Sequence, residues 1–295
     1  MSGDLRQNLQ ARLPLSFGVS GALGSWLYTP SKIGRLISTA RDEGISIFDT
    51  SPSYGAGLAE SRLGRAIGNC PDAFVMTKAG LRASGLLKRE RDHSPSGIVE
   101  SVEGSLRRLR RDSIDLLWLH GPDKIEITDD LLGQLQRLQS TGKVAAVGIA
   151  SRDPSLRPFA SHAPFSAYMS PANSEANKAV ENDPDVVYFG IECLANVRST
   201  TKAQMDRSRL WRTVKNHVRG KPDNARDMTA EDAFDYAFNI AKCDVVLMTT
   251  TKTSRIRENR ALVSEFKRTP CAKTVANVVR KPVHAPAEAR ILTMT

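Results

Sequence analysis

The sequence predicts an α/β protein folded as one (β/α)8, or TIM-type, barrel spanning residues 1–295. Short apolar runs closed by polar turns alternate along the chain with amphipathic helical patterns, which is the rhythm of βα units. Eight such runs fit into about 280 residues, the strand number and length of a barrel. Nothing of the form G-x-G-x-x-G follows the first run and no linker divides the chain, so a doubly wound sheet or a pair of domains is disfavoured.

Each element has a local reason. LPLSFGVSGALG reads as the first strand, and TPSKIGRLISTARDEG as a helix whose Thr29-Pro30 is a good start. ISIFDT and LAESRLGRAIG form the second pair. AFVMTK is a short strand of the fully buried type, followed by SPSGIVESVEGSLRRLRRD, a helix entered at Ser94-Pro95 with Ile98, Val102, Leu106 and Leu109 on one face. IDLLWLH is the fourth strand. TDDLLGQLQRLQSTGK has Thr128 to cap it, acids in its first turn and Gly142-Lys143 at its end, and leads into VAAVGIA, the fifth strand. FSAYMS, DVVYFGIECLA and DVVLMTTT follow as strands six to eight. TAEDAFDYAFNIAK is a helix before the last strand, and TSRIRENRALVSEFK a helix after it. The polar segment at about 198–227 carries no strand pattern and reads as a long loop or extra helix, of the kind that overhangs a barrel mouth.

Composition narrows the function. The chain has 295 residues and a formal charge of +10, with 40% hydrophobic and 25% charged residues. No stretch approaches the roughly 20 apolar residues that span a bilayer, and the opening MSGDLRQNLQARLP lacks the apolar core of a secretory signal. A cytoplasmic protein without membrane partners is expected. Cys70, Cys193, Cys243 and Cys271 lie too far apart for a CxxC or Cys/His metal spacing, so neither a metal site nor a disulfide framework is expected. The densest basic stretch, Arg198 to Arg226, has Trp211 as its only aromatic and no nucleic-acid-binding motif beside it. A positive field of this kind serves a phosphate-bearing small molecule equally well, so nucleic acid is not expected as a partner. Oligomeric state is left open.

In a barrel, polar residues at the carboxyl ends of strands face the catalytic mouth. Asp49 ends ISIFD, Tyr54 follows in the turn SPSYG, Lys78 ends FVMTK, and His120 ends LLWLH. Any one of them has an ordinary explanation as a turn cap, surface aromatic, solvated cation or core imidazole. Together they come from neighbouring strands and can converge. A carbonyl that accepts hydride needs a proton on its oxygen, and a tyrosine supplies one if its pKa, ordinarily about 10, is lowered. Lys78 would favour the phenolate, Asp49 would hold the ammonium, and His120 would polarise the carbonyl by donating a hydrogen bond. The same site residues, Tyr54 and His120, would touch the substrate, together with Trp26 on the first βα loop.

GISIFDTSPSYGAGLAESRLGRAIG, with its aspartate, its tyrosine and the E-x-x-L-G of Glu60 to Gly64, resembles the signature of the aldo-keto reductases. MTKAG and LLWLHGPD are similar to that family's lysine and histidine segments, and SYGAGLAESRLG resembles the bacterial subgroup containing the D-threo-aldose dehydrogenases. The resemblance implies NADP, or NAD, as cofactor and a small carbonyl or sugar as substrate. VVLMTTTKTSRIRENRAL resembles the family's phosphate-binding segment. It implies that Thr250 and Arg255 meet the adenosine 2′-phosphate with Lys252 close by, and that Glu258 and Asn259 address the adenine. Gly18, Ser20, Asp49 and Ser151 would complete the cofactor contacts.

The chain departs from the family pattern after the fifth strand. Ala150-Ser151 stands where the family carries serine-asparagine, Met169 where a glutamine is usual, Ile191 where a tyrosine stacks, and Thr249 in place of a glycine. About three contacts to the nicotinamide, each worth about 1 kcal/mol, are thereby altered. Two other functions are compatible with these departures: a non-catalytic barrel binding a nucleotide or metabolite for regulation, and a redox-neutral lyase using the same four residues.

Overall fold

The computed structural model describes residues 2–68, 70–84, 88–173, 183–195, 197 and 228–268. Its centre is a closed barrel of eight parallel strands. Its strands are β1 (Leu15–Gly18), β2 (Ile47–Asp49), β3 (Phe74–Ala79), β6 (Ile114–His120), β7 (Val144–Ala150), β8 (Phe165–Pro171), β9 (Val187–Ile191) and β10 (Val245–Met248). They close in the order β1-β10-β9-β8-β7-β6-β3-β2. The expected (β/α)8 class is therefore the observed one.

The expected helix starts are satisfied by side chains. The Thr29 hydroxyl accepts from the Lys32 amide at 3.3 Å at the head of α2 (Pro30–Asp42). Ser94 accepts from the Gly97 amide at 3.1 Å before α4 (Pro95–Leu109), and Thr128 from the Leu131 amide at 3.3 Å before α5 (Asp129–Ser140). Each cap satisfies an amide the helix leaves free, an effect worth about 1 kcal/mol. Helix α3 (Leu58–Ile67) packs between α2 and α4.

Alternation along the strands makes two cores. Ile47, Met76, Leu116, Trp118, Met169 and Phe189 fill the barrel interior, with Trp118 edge-on to Phe189 at 5.0 Å between ring centroids. The other residues of each strand, such as Val75 and Tyr168, pack outward beneath the helices.

Four features differ from the sequence reading. The opening segment forms helix α1 (Ser2–Gln10), whose Leu5 and Leu9, four residues apart, join the interior core. Arg6 pairs with Asp244 and donates to the Val186 carbonyl at 2.8 Å, which fixes α1 beneath the barrel floor. The first strand is shorter than LPLSFGVSGALG: it stops at Gly18, and Gly21–Gly24 turns into a 3-10 helix. After β3 the chain adds an antiparallel hairpin, β4 (Leu81–Ser84) with β5 (Lys88–Arg91). The helix expected over 229–242 is α6 (Ala230–Asp235) continued as a π-helical turn, Tyr236–Ile240, and the last described element is α7 (Thr253–Arg268). The loop expected at about 198–227, with Trp211, and Cys271 fall outside the described residues. Among the described residues no helix is long and apolar enough to cross a membrane, and no cluster of metal-ligating side chains occurs.

Candidate functional site

β2, β3 and β6 are consecutive in the barrel wall, so their carboxyl ends bring Asp49, Lys78 and His120 to one side of the mouth. The Lys78 ammonium donates to both Asp49 oxygens at 2.6 Å and to the Thr50 carbonyl at 2.9 Å. This pair is buried, with 4% and 1% of the two side chains exposed. The ammonium lies 5.3 Å from the centre of the Tyr54 ring, and Tyr54 stands edge-on to His120 with centroids 6.3 Å apart. The four expected residues thus form one cluster.

The tyrosine is held by a turn that the sequence specifies. The Tyr54 amide donates to the Ser51 carbonyl at 3.1 Å, and the Ser53 amide to the Ser51 hydroxyl at 3.1 Å. Gly55, at φ +62°, packs against the Gly24 backbone so tightly that any Cβ would collide with it, which locks the β2 loop onto the β1 loop. The E-x-x-L-G segment braces the same region. Glu60 accepts from Thr77 and from Arg108, both at 2.6 Å, and Arg62 donates to the Leu23, Ser25 and Tyr28 carbonyls at 2.7 to 2.9 Å. Gly64 lets α3 approach the Arg108 and Leu109 carbonyls at the end of α4. These residues support the site from behind; they do not line it.

Electrostatics assign a state to each member. Burial works to depress Lys78, but the Asp49 carboxylate and Tyr54 outweigh it and hold the ammonium above its ordinary pKa. For Tyr54 the sequence reading is corrected: burial raises its pKa, and the opposing pull of Lys78 does not overcome it. The phenol therefore keeps its proton. His120 is held well below its ordinary value by burial and then by the charges of Lys78, Arg89 and His93, so its imidazole is neutral. Its Nδ1 is buried without a hydrogen-bond partner, which leaves Nε2 as the nitrogen to meet a ligand.

Sequence reasoning missed two neighbours, Arg89 and His93. His93 is 5% exposed, packs against the Gly80 backbone just past Lys78, and has Nδ1 3.3 Å from the Glu126 carboxylate. Burial first, and then Arg91, lower its pKa against the pull of Glu126. Arg89 lies on the hairpin that follows Lys78. The polar alternation of LRAS and KRER was the available signal, obscured because a βα loop ordinarily carries no strand.

The residues expected at the cofactor follow the ends of β1, β7 and β10, with Gly18 paired to Asp49 and Ser151 just after Ala150, the strand partner of His120. The Thr249 hydroxyl donates to the Gly18 carbonyl at 3.2 Å and stands 3.2 Å from the Ser20 hydroxyl, joining the ends of β1 and β10. Ser151 accepts from the Asp153 amide at 3.1 Å, leaving its own proton to donate. Thr250 accepts from the Lys252 amide at 3.3 Å, Lys252 is exposed, and Arg255 lies 3.5 Å from Glu258 in the first turns of α7. Asn259 is 4% exposed, its amide nitrogen 3.3 Å from the Met248 sulfur, so it sits in the wall beneath the helix. Met169 is buried in the barrel interior and Ile191 packs on it from the rim. Trp26 is 80% exposed on the first βα loop, whereas Trp118 is wholly interior.

Residues 14–163 match the sequence pattern described as the aldo/keto reductase family. A D-threo-aldose 1-dehydrogenase from a Pseudomonas species is 38% identical over 140 residues, which are 39% of this chain and 43% of that one. The chain thus spans under half of that relative's length. The fold matches the holo form of an aldo-keto reductase from Bacillus halodurans with a TM-score of 0.66, at 23% identity, over 85% of this chain and 86% of that one. It also matches an aldo-keto reductase from Klebsiella pneumoniae solved with NADP and acetate, with a TM-score of 0.59, at 18% identity, over 85% of each chain. With half of its length matched to the family pattern, the chain belongs to the aldo/keto reductase family.

Proposed function

We propose that the protein is an NADP(H)-dependent oxidoreductase that interconverts a small carbonyl compound, an aldehyde, ketone or sugar, and its alcohol. One observation carries the reading: a protonated Tyr54, a charged and buried Lys78–Asp49 pair and a neutral His120 meet at the mouth of the barrel. The family membership and the aldose dehydrogenase among the relatives support it.

The donor set fits a phosphorylated dinucleotide. Hydroxyls and amides at the start of α7, beside Lys252 and Arg255, suit a phosphate group, and a planar guanidinium matches two phosphate oxygens. The structure solved with NADP supports this choice of cofactor. Ser151 has a proton to give an amide, while Ile191 and Met169 offer an apolar wall to a ring.

When bound, the nicotinamide supplies or receives the hydride. The chain handles the proton. In reduction, Tyr54 gives its phenolic proton to the carbonyl oxygen as that oxygen gains charge, and takes one back from solvent afterwards. Lys78, kept charged by Asp49, stabilises the phenolate left behind. His120 donates from Nε2 to the same oxygen, and its neutrality keeps it a polariser without making it a competing acid. Oxidation of an alcohol runs these roles in reverse.

The test titrates NADPH and NADH by fluorescence quenching and screens aldehydes and sugars for nicotinamide absorbance changes. Tyr54→Phe should lower kcat by about 10²- to 10⁴-fold, the contribution of one positioned proton donor, with the NADPH dissociation constant nearly unchanged. Wild-type turnover in that variant would show that the proton comes from elsewhere. Failure of both nucleotides to bind at millimolar concentration would overturn the reading as a whole.

A further inference from the structure

The hairpin of β4 and β5 rises directly from the strand that carries Lys78. Its base is closed by the Asp92 amide donating to the Gly80 carbonyl at 3.0 Å, and its register pairs Leu81 with Arg91 and Ala83 with Arg89. Arg91 is anchored to Asp123 at 2.9 Å and Glu126 at 2.6 Å, on the loop that begins at His120. Side chains two residues apart on a strand share a face, so Arg89 lies on the face of Arg91, about 7 Å farther out along the hairpin. That face looks onto the loop carrying His120. The charge of Arg89 acts on both Tyr54 and His120.

The hairpin's other arginines are neutralised. Arg82 meets Asp92 at 3.0 Å and Glu100 at 3.4 Å, and Arg91 is held as above. Arg89 is exposed and has no carboxylate partner among the described residues. Lys78 is consumed by Asp49, and on the far rim Arg152 is paired with Glu192. On the loop that begins at His120, the carboxylates of Asp123 and Glu126 are both held by Arg91, and Ile125 between them is exposed. The result is an exposed guanidinium without a carboxylate partner among the described residues, on the hairpin face that looks toward the loop beginning at His120. Arginine's planar fork matches a carboxylate or phosphate through two parallel hydrogen bonds.

We propose that Arg89 determines substrate specificity by binding an anionic group, carboxylate or phosphate, carried by the carbonyl substrate a few atoms from the carbon that is reduced or oxidised. This rests on the oxidoreductase reading above. The preferred substrates are then acidic: a semialdehyde or sugar acid in the carboxylate case, a sugar or triose phosphate in the other.

The experiment measures kcat/KM with NADPH for glyceraldehyde, glyceraldehyde 3-phosphate and succinic semialdehyde, in the full-length wild type, Arg89→Met and Arg89→Lys. The readout is the ratio of each anionic substrate to the neutral one, which cancels any shift in Tyr54 common to all three. Arg89→Met should lower that ratio about 10- to 100-fold for the preferred anion, the usual effect of losing hydrogen bonds to a charged group, chiefly through KM. Arg89→Lys should restore part of it. The anion whose ratio falls farther identifies the source. A ratio unchanged for both anions overturns the proposal. The two readings separate in a second arm, in which 3-phosphoglycerate and succinate, which have no aldehyde or ketone to reduce, are titrated by calorimetry. Loss of that binding in Arg89→Met supports the anion site even if no carbonyl is turned over, whereas no binding to the wild type, or equal binding to the variant, sinks it.

Discussion

The two arcs of the barrel wall differ in what their inward faces carry: a buried ion pair in one, apolar side chains in the other. In the arc from β1 to β7, polar groups are locked to one another, Lys78 to Asp49 on the inward face and, behind the strands, Glu60 to Thr77 and Arg108, and Arg62 to three carbonyls of the first βα loop. In the arc of β8 and β9 the hydroxyls turn outward. Tyr168 donates to the Asp153 carbonyl at 2.8 Å and Tyr188 lies 2.8 Å from the Ser170 hydroxyl, while Met169 and Phe189 fill the interior. Strand alternation produces the contrast, since a single-residue step moves a side chain to the other face. One arc is thus built to hold charge and a proton, and the other to present an apolar surface free of competing acids. Under the proposed function, proton and hydride approach the substrate from different arcs.

The sharpest way to break this contrast is to unpair the charge. Lys78→Met leaves the Asp49 carboxylate buried with no cation, and removing one member of such a pair costs about 3–5 kcal/mol. The variant should unfold at markedly lower urea concentration and lose turnover. Adding Asp49→Asn removes the stranded charge, so the double variant should regain most of the stability and none of the activity. If the double variant were as unstable as the single one, the pair would be acting through packing and not through charge.

A smaller effect is expected across the barrel, where contacts are exposed. Arg255→Ala should weaken NADPH binding about 10-fold, as expected for lost hydrogen bonds to a charged group, while NADH changes little. Part of the loss arises because Glu258, now 3.5 Å from Arg255, would face the phosphate without its cation. Equal weakening of both nucleotides, measured by fluorescence titration, would remove Arg255 from the 2′-phosphate.

The legibility of these regions in the sequence follows the same division. The barrel could be read because each strand is an apolar run with a capped helix beside it, and Thr29, Ser94 and Thr128 cap where expected. Asp49, Lys78 and His120 were visible as polar residues ending such runs, which in a parallel barrel are brought to one rim whatever the family. Three things were hidden. Helix α1 carries only two apolar residues on an otherwise polar segment, and its plugging role depends on contacts with β8 and β9 more than 150 residues away. The hairpin holding Arg89 is an insertion in a βα loop, and Arg89 is told apart from its charged neighbours only by which carboxylates the fold brings to them. The expected lowering of the Tyr54 pKa is reversed because the sequence displays the nearby lysine but not the burial that opposes it.

The smallest expected effect concerns pH, and it too should be lopsided. His93 and His120 both lie in the first arc and both have pKa values lowered, chiefly by burial; His162, at the entrance to β8, is exposed. Between the ordinary imidazole value of about 6.5 and the lower folded values, the unfolded chain binds protons that the folded chain refuses. The unfolded state then holds more protons, so stability rises with pH through this window and falls as pH drops below about 6.5, by at most about 1.4 kcal/mol per pH unit for each histidine. Glu126, whose pKa is also lowered, adds to the loss only at more acid pH, below about 4.5. Thermal unfolding between pH 7.5 and pH 5.5 should therefore show a decline that becomes shallower in His93→Gln, with amide exchange accelerating first in β3 and β6 and later in β8 and β9. A decline of equal slope in His93→Gln would mean that the acid sensitivity resides outside this buried imidazole, and exchange that accelerates uniformly would mean that the two arcs unfold as one unit.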